Sequence, residues 1–216
     1  MHLETVEGVA SPVAPGLRRD AAIIAIAVAV AGVYATLRYN VFKGVPWGDW
    51  PHFVGNKILA VAALILIVQS IWRLASRRVR PIRRLMATAG LLAMVHSLLS
   101  LGLLDPVYFE KFYGGRGLSL TGGLSLLLGS FATALLLRGH GARGTSAPVP
   151  ASLLLGSTAA LTTFHLALPA TSSWLQPAAW PGGMPPLTLL SFAIGAAGVA
   201  LAFRTWARGR SELVRA

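Results

Sequence analysis

The sequence predicts an all-α polytopic membrane protein, folded as a bundle of six transmembrane helices. Charged residues make up 12% of the 216-residue chain, about half of the roughly 25% found in soluble domains. Apolar residues make up 55%, and the mean hydropathy is +0.65. No charged side chain occurs in 85–104, 117–137 or 144–203. Because one span needs about 20 apolar residues, the last of these runs is long enough for two.

Six apolar segments have the length of a membrane span. The connection between the last two contains prolines and glycines that cannot continue a helix, and in the second span Lys57 and Arg73 can reach toward the two interfaces. Because backbone polar groups in lipid must be satisfied within the protein, each span is predicted to be helical. The spans are residues 20–39, 54–75, 84–104, 117–138, 150–168 and 187–204.

The ends of the chain are predicted to lie outside this bundle. We assign 18–208 to the transmembrane domain, 1–17 to a flexible cytoplasmic tail and 209–216 to a second cytoplasmic tail. The N-terminus does not look like a cleavable signal, since Arg18 and Arg19 follow a mixed polar stretch and the next apolar segment continues for the length of a span.

The distribution of basic residues predicts the orientation. Cytoplasmic loops carry an excess of Lys and Arg, which explains the net charge of +12 better than nucleic-acid binding does. The more basic side, with both termini, is therefore expected to face the cytoplasm in a multi-pass protein of the inner (cytoplasmic) membrane. Its basic residues are Arg18, Arg19, Arg73, Arg77, Arg78, Arg80, Arg83, Arg84, Arg138, Arg143, Arg204, Arg208, Arg210 and Arg215.

Two of the five histidines, His96 and His165, fall inside apolar spans, whereas the other three are expected to be solvated or interfacial. Ionisable residues at such depth are costly and tend to be functional. Counted from the cytoplasmic side, His96 lies about 18 Å and His165 about 22 Å along its helix. Both depths are just beyond the midplane of a hydrocarbon core about 30 Å thick.

Two histidines at one level on different helices are what axial ligation of a single heme iron requires. Small side chains on the same helix faces leave room for a flat cofactor, and Pro169 cannot donate to the carbonyl of His165. The alternative is that each histidine bonds a hydroxyl or carbonyl on a neighbouring helix. The residues sharing those faces are Ala89, Ala93, Ser100, Thr158, Leu161 and Thr162.

Several segments resemble the ferric-reductase-like transmembrane family, and within it the heme-binding membrane subunits of periplasmic methionine sulfoxide reductases. They are GNKILAVAALILIVQSIWRL, the basic loop, RRLMATAGLLAMVHSLLSLGLL and LTGGLSLLLGS, and the likeness covers roughly 52–169. It implies that His96 is the third-helix heme ligand and His165 the fifth-helix ligand.

The sequence departs from the family at two places. Members with two hemes carry a second histidine about four turns away on each ligand helix, where this chain has Ile82 or Arg83 and Ala151 or Ser152. One heme b is therefore expected. The basic start of the family's fifth helix is replaced by GTSAPVPASLLLGS, which differs from the usual arrangement for electron input at the cytoplasmic side.

The predicted function is transmembrane electron transfer through this heme, by a subunit that belongs to a larger complex. A quinol or a cytoplasmic reductase would donate electrons, and an outer-face or periplasmic redox protein would accept them; a flavin or quinone is a further candidate cofactor. Heme propionates need cationic or hydrogen-bonding partners. The nearest candidates on the outer side are Arg38, Arg116, Lys43 and Tyr108, and the alternative for each is a role as an interfacial anchor.

Two other functions are open from the sequence. One is a non-catalytic scaffolding or accessory subunit of a membrane complex. The other is a small-solute transporter, against which we note that no carboxylate lies within a predicted span and that no paired broken-helix pattern occurs beyond the outer loop. No acid–base pair or nucleophile set indicates independent catalysis. If the chain takes part in an enzyme, it does so as the electron-transfer subunit of an oxidoreductase.

Overall fold

The computed structural model describes residues 15–76, 82–115, 117–141 and 151–215. Several predictions concern residues outside these ranges: most of the N-terminal tail, the candidate propionate partner Arg116, and most of the basic connection between the second and third spans. The described chain forms seven α-helices and one small antiparallel strand pair. They are α1 (Pro15–Thr36), α2 (Gly55–Ala75), α3 (Arg83–Gly102), β1 (Tyr113–Gly114), β2 (Gly117–Leu118), α4 (Leu120–Gly141), α5 (Ala151–Ala167), α6 (Thr171–Trp174) and α7 (Leu187–Arg215).

The prediction of an all-α polytopic membrane protein is confirmed. Within the described ranges, five helices are long and apolar enough to cross a membrane, namely α1, α2, α3, α4 and α7 with their flanking turns. The remaining predicted span, the fifth along the chain, is α5, an apolar helix of 17 residues. At 1.5 Å per residue it is about 26 Å long, near the lower limit for a span.

Helix ends differ from the predicted spans in three places. Helix α1 begins at Pro15, within the predicted tail, and α7 continues to Arg215, through most of the segment predicted as a second tail. The fourth helix begins at Leu120 rather than 117 because Gly117 and Leu118 pair with β1. Hydropathy predicts where the apolar run begins and ends. It does not predict that polar residues extend α1 and α7 beyond that run, or that strand pairing delays the start of α4.

Helix α2 is the centre of the bundle, in contact with α1, α3, α5 and α7. In its most apolar stretch 56% of the residues are buried, against 22% to 33% in the other four long helices. Helices α3 and α5 each pack against both α2 and α4. These four helices therefore surround a common space, with α3 and α5 on opposite sides of it.

The outward faces of the helices are apolar. Ile26, Val33, Leu98, Phe131 and Phe164 are each more than 60% exposed. In a helix bundle of this length, exposed side chains of this kind are suited to contact with lipid hydrocarbon rather than water.

A buried ion pair joins α1 to α2. Arg73 Nη2 lies 2.7 Å from Asp20 Oδ1, and both side chains are at least 93% buried. Asp20 lies within the span-length helix Gly16–Phe42, so the sequence interpretation that no span contains a carboxylate was wrong. Arg73, in the last turn of α2, is buried against this carboxylate.

Candidate functional site

Two adjoining clefts meet at His96 and His165, which line both. The first, called here the helical cleft, lies in the space surrounded by α2, α3, α4 and α5. The second, called here the loop cleft, is lined by the connections after α1, α3 and α5 together with parts of α2 and α7. The two histidines thus stand where the interior of the bundle opens toward its loop end, on the helices that face each other.

The ring of His96 is fixed by a residue of α2. Its Nδ1 lies 2.7 Å from Asn56 Oδ1 and 3.1 Å from the backbone carbonyl oxygen of Asn56. Asn56 is 1% exposed, and its amide nitrogen donates to Ser100 Oγ at 2.9 Å. That second bond orients the amide so that its oxygen faces the imidazole.

The ring of His165 is fixed by a residue of α4. Its Nδ1 lies 2.7 Å from the backbone carbonyl oxygen of Ser125, and Ser125 Oγ donates to the carbonyl of His165 at 2.7 Å. This carbonyl lacks its usual helical donor, because Pro169 four residues later cannot donate to it. The hydroxyl of Ser125 takes the place of the missing helical bond.

These contacts assign the tautomer of both rings. A backbone carbonyl can only accept a hydrogen bond, so each Nδ1 must carry a proton and donate it. A neutral imidazole protonated at Nδ1 has its lone pair at Nε2. Among the described residues, neither Nε2 has a hydrogen-bond partner. This is the state in which histidine binds metals, with the other ring nitrogen held by a protein acceptor.

Gly129 allows His165 to take this position. A Cβ at residue 129 would lie 3.0 Å from Nδ1 and 3.1 Å from Cε1 of His165. The imidazole therefore lies against the turn of α4 that supplies its acceptor, and any side chain at residue 129 would press on the ring.

The walls of the helical cleft consist largely of small residues. Of those predicted to share a face with the histidines, Ala93, Ser100, Thr158 and Thr162 line it. Ala89 instead belongs to the packed core, and Leu161 is not part of the lining. The remaining small residues of the wall are Ala60, Ala63, Ser97, Gly129, Ser130, Ala132 and Thr133.

The loop cleft carries several cations. Arg38, a predicted propionate partner, lines it and is 7% exposed. It stands on a π-helical extension of α1, Leu37–Phe42, a distortion often found at functional sites. Lys43, Lys57 and Lys111 also line this cleft. Burial, with repulsion from Lys43 and Arg38, lowers the pKa of Lys111.

Tyr108 lines the same cleft and belongs to a hydrogen-bonded group at its rim. Its hydroxyl lies 3.4 Å from Asp49 Oδ1 and 3.3 Å from His52 Nε2. Partial burial and the carboxylate of Asp49 raise the pKa of Tyr108, so its hydroxyl stays protonated at neutral pH. His52, half-exposed beside Asp49, fits the interfacial position predicted for it.

Sequence reasoning missed three residues of the site. Asn56 and Ser125 were hidden because a polar residue near a span end or in an uncharged run is common. Lys57 was interpreted as an interfacial anchor, although it stands one residue after the acceptor of His96. Each of the three lies on a helix next to a histidine-bearing helix. Its position relative to the histidines can be recognised only once the packing of those helices is known.

Comparisons with protein-family models, curated proteins and solved structures find no match to this chain. The fold therefore defines the class, an all-α polytopic membrane protein, and any assignment of function depends on the site.

Proposed function

We propose that this chain is a membrane-embedded b-type heme electron-transfer subunit in which His96 and His165 are the two axial ligands. The observation that carries the proposal is the matched state of the two rings. Each is held at Nδ1 by an acceptor on a flanking helix, each leaves Nε2 available, and both line the same clefts on opposite helices.

The donor set suits a porphyrin better than a bare metal ion. Within the described ranges no group of three or more His, Cys, Asp or Glu side chains could hold an ion. Two imidazoles alone leave most of a coordination shell empty, whereas a macrocycle adds four nitrogens and completes six. Heme iron with both axial positions filled supplies one-electron transfer rather than oxygen binding.

The protein would pass electrons to a redox partner on the outer or periplasmic face, taking them from a quinol or a cytoplasmic reductase. It would do so as a subunit of a larger complex. The resemblance to the ferric-reductase-like family, and a flavin or quinone as further cofactor, remain predictions.

The orientation proposed from the basic residues has the loop cleft outside and both termini in the cytoplasm. The chain contains no cysteine, so single cysteines report their side without background. Gly48→Cys at the loop end meets nothing within 4 Å, and Ser76→Cys lies at the other end. In intact cells an impermeant maleimide should label residue 48 and spare residue 76 until the cells are lysed. The reverse pattern would invert the proposed topology.

The proposed function is tested by the optical spectrum of the purified full chain. We expect a reduced-minus-oxidised difference spectrum of the b type with one heme per chain. A chain that folds, assembles with partners and shows no heme spectrum would instead be the scaffolding subunit considered from the sequence.

Asn56 should influence the midpoint potential of the heme through its hydrogen bond to His96. A ligand histidine becomes a stronger donor when the acceptor at its other nitrogen is stronger. Asn56→Leu, which removes the amide acceptor, should raise the midpoint potential, and Asn56→Asp should lower it. For a one-electron couple, each tenfold change in the equilibrium between the ferric and ferrous forms shifts the midpoint potential by about 59 mV.

Ser70→Ala is the matched control for these variants, because Ser70 is a buried polar residue of the same helix whose hydroxyl donates to the carbonyl of Leu66 and which lines neither cleft. Its potential should stay close to that of the unmodified protein in a spectroelectrochemical titration. If both Asn56 variants titrate with the unmodified protein as well, Asn56 has no influence on the iron.

A further inference from the structure

The loop cleft has an excess of positive charge. Four cationic side chains line it, of which Arg38 is buried, Lys57 is partly buried and the other two are exposed. Glu110 is the one carboxylate residue in the described lining, and none of the four cations has a carboxylate within 4.0 Å in the part of the chain that the structure describes. Because a buried charge without a partner is costly, the cleft beside Arg38 is suited to an anion.

Arg38 has hydrogen-bonding capacity to spare. One guanidinium nitrogen donates to the carbonyl of Met184, but Nε is buried and has no hydrogen-bond partner among the residues that the structure describes. A guanidinium offers five N–H donors in a planar fork that matches a carboxylate. The side chain lines the loop cleft, where an incoming carboxylate would satisfy it.

Lys57 is held among aromatic rings. Its ammonium lies 3.9 Å from the ring centroid of Phe53, 5.2 Å from that of Tyr39 and 5.4 Å from that of Phe109. Ring faces attract a cation, but they accept none of its three hydrogen bonds well. Lys57 follows Asn56 directly, so α2 presents this cation beside the residue that holds His96.

We propose that Arg38 and Lys57 bind the carboxylate groups of the ligand whose iron His96 and His165 hold. The inference rests on the proposed function and fixes the direction of the ligand. The two propionates of the heme would lie in the loop cleft, and its hydrocarbon edge would lie among the small side chains of the helical cleft. The charged edge of the cofactor would then face the loop end, where a redox partner docks.

The test compares two ligands that differ at the carboxylates alone. The full chain, purified from a heme-deficient host, is titrated with hemin and with hemin dimethyl ester, whose propionates are neutral. Charge-assisted hydrogen bonds contribute roughly 1.5–3 kcal/mol each, so with two of them hemin should bind about a hundredfold to ten-thousandfold more tightly. Lys57→Met and Arg38→Gln should each reduce this preference by about tenfold to a hundredfold while leaving the affinity for the ester near its original value.

Arg204→Gln, which removes an exposed arginine of α7 away from both clefts, is the control and should keep the full preference. Equal affinity of the unmodified chain for hemin and its ester, with a six-coordinate spectrum in both, would overturn this inference and leave the proposed function intact. Binding of neither ligand would overturn both. The ligand comparison needs no folded variant, so loss of either variant to misfolding leaves the test decisive.

Discussion

Replacing either of the two cleft-lining histidines with alanine is expected to abolish the b-type difference spectrum, whereas the helix bundle should still fold. His96 and His165 stand on opposite helices, and each would supply one of two axial bonds. Removing either side chain would leave the heme with one protein ligand in place of two and without its attachment to that helix. His96→Ala and His165→Ala should therefore each reduce bound heme to a small fraction of the original.

The measurement is heme content per purified chain by pyridine hemochrome, together with the redox difference spectrum. His52→Ala is the matched control, because His52 is half-exposed at the rim and hydrogen-bonds to Tyr108 rather than lining the clefts. It should keep its heme. An unchanged spectrum in either His96→Ala or His165→Ala would refute the ligand assignment.

Breaking the ion pair between α1 and α2 is expected to cost about 3–5 kcal/mol of unfolding free energy. Arg73 and Asp20 are almost completely buried and 2.7 Å apart, so either single substitution leaves an uncompensated charge inside the bundle. Arg73→Met and Asp20→Asn should each lower the midpoint of detergent or urea unfolding strongly. Helical circular dichroism in reconstituted protein would follow the transition.

A double substitution distinguishes the free-energy cost of removing the whole ion pair from the cost of leaving one of its charges without a partner. Asp20→Leu combined with Arg73→Met removes both charges, and apolar replacement of a buried pair is often near neutral. The double variant should therefore be more stable than either single one, which is the non-additivity expected of residues in contact. Arg19→Ala, next to Asp20 but exposed, is the control. Single variants no less stable than Arg19→Ala would show that the pair contributes nothing.

The membrane fold was largely predictable because a lipid environment imposes one simple requirement, that each span be apolar and satisfy its own backbone. That requirement is visible in the uncharged runs around His96 and His165. It does not fix where a helix ends, since α7 continues through Arg204 to Arg215 once the chain has left the apolar run.

The candidate site was predictable in part. The rise of an α-helix gives the depth of a residue along its span, so the sequence predicts that His96 and His165 lie at one level. In the structure both line the same clefts. What sequence could not supply was the rotation of α2 and α4. That rotation turns Asn56 and Ser125 toward the histidines, and it also directs Lys57 into the loop cleft. These contacts join residues about 40 positions apart, and no local pattern encodes them.

The charged residues illustrate the same limit. By hydropathy, Asp20 and Arg73 mark the ends of two spans, because isolated charges near an apolar run usually do. In the folded chain they form an ion pair between α1 and α2. Whether such a residue ends a span or pairs within it depends on the neighbouring helix, which composition does not identify.

The axial ligands of the iron can be observed directly in the heme-loaded, unmodified full chain. Low-temperature electron paramagnetic resonance and near-infrared magnetic circular dichroism of the ferric protein distinguish a pair of imidazoles from other ligand combinations. We expect a low-spin signal of bis-imidazole type with one heme per chain. A high-spin iron, or a low-spin iron with another axial ligand in place of an imidazole, would contradict the account.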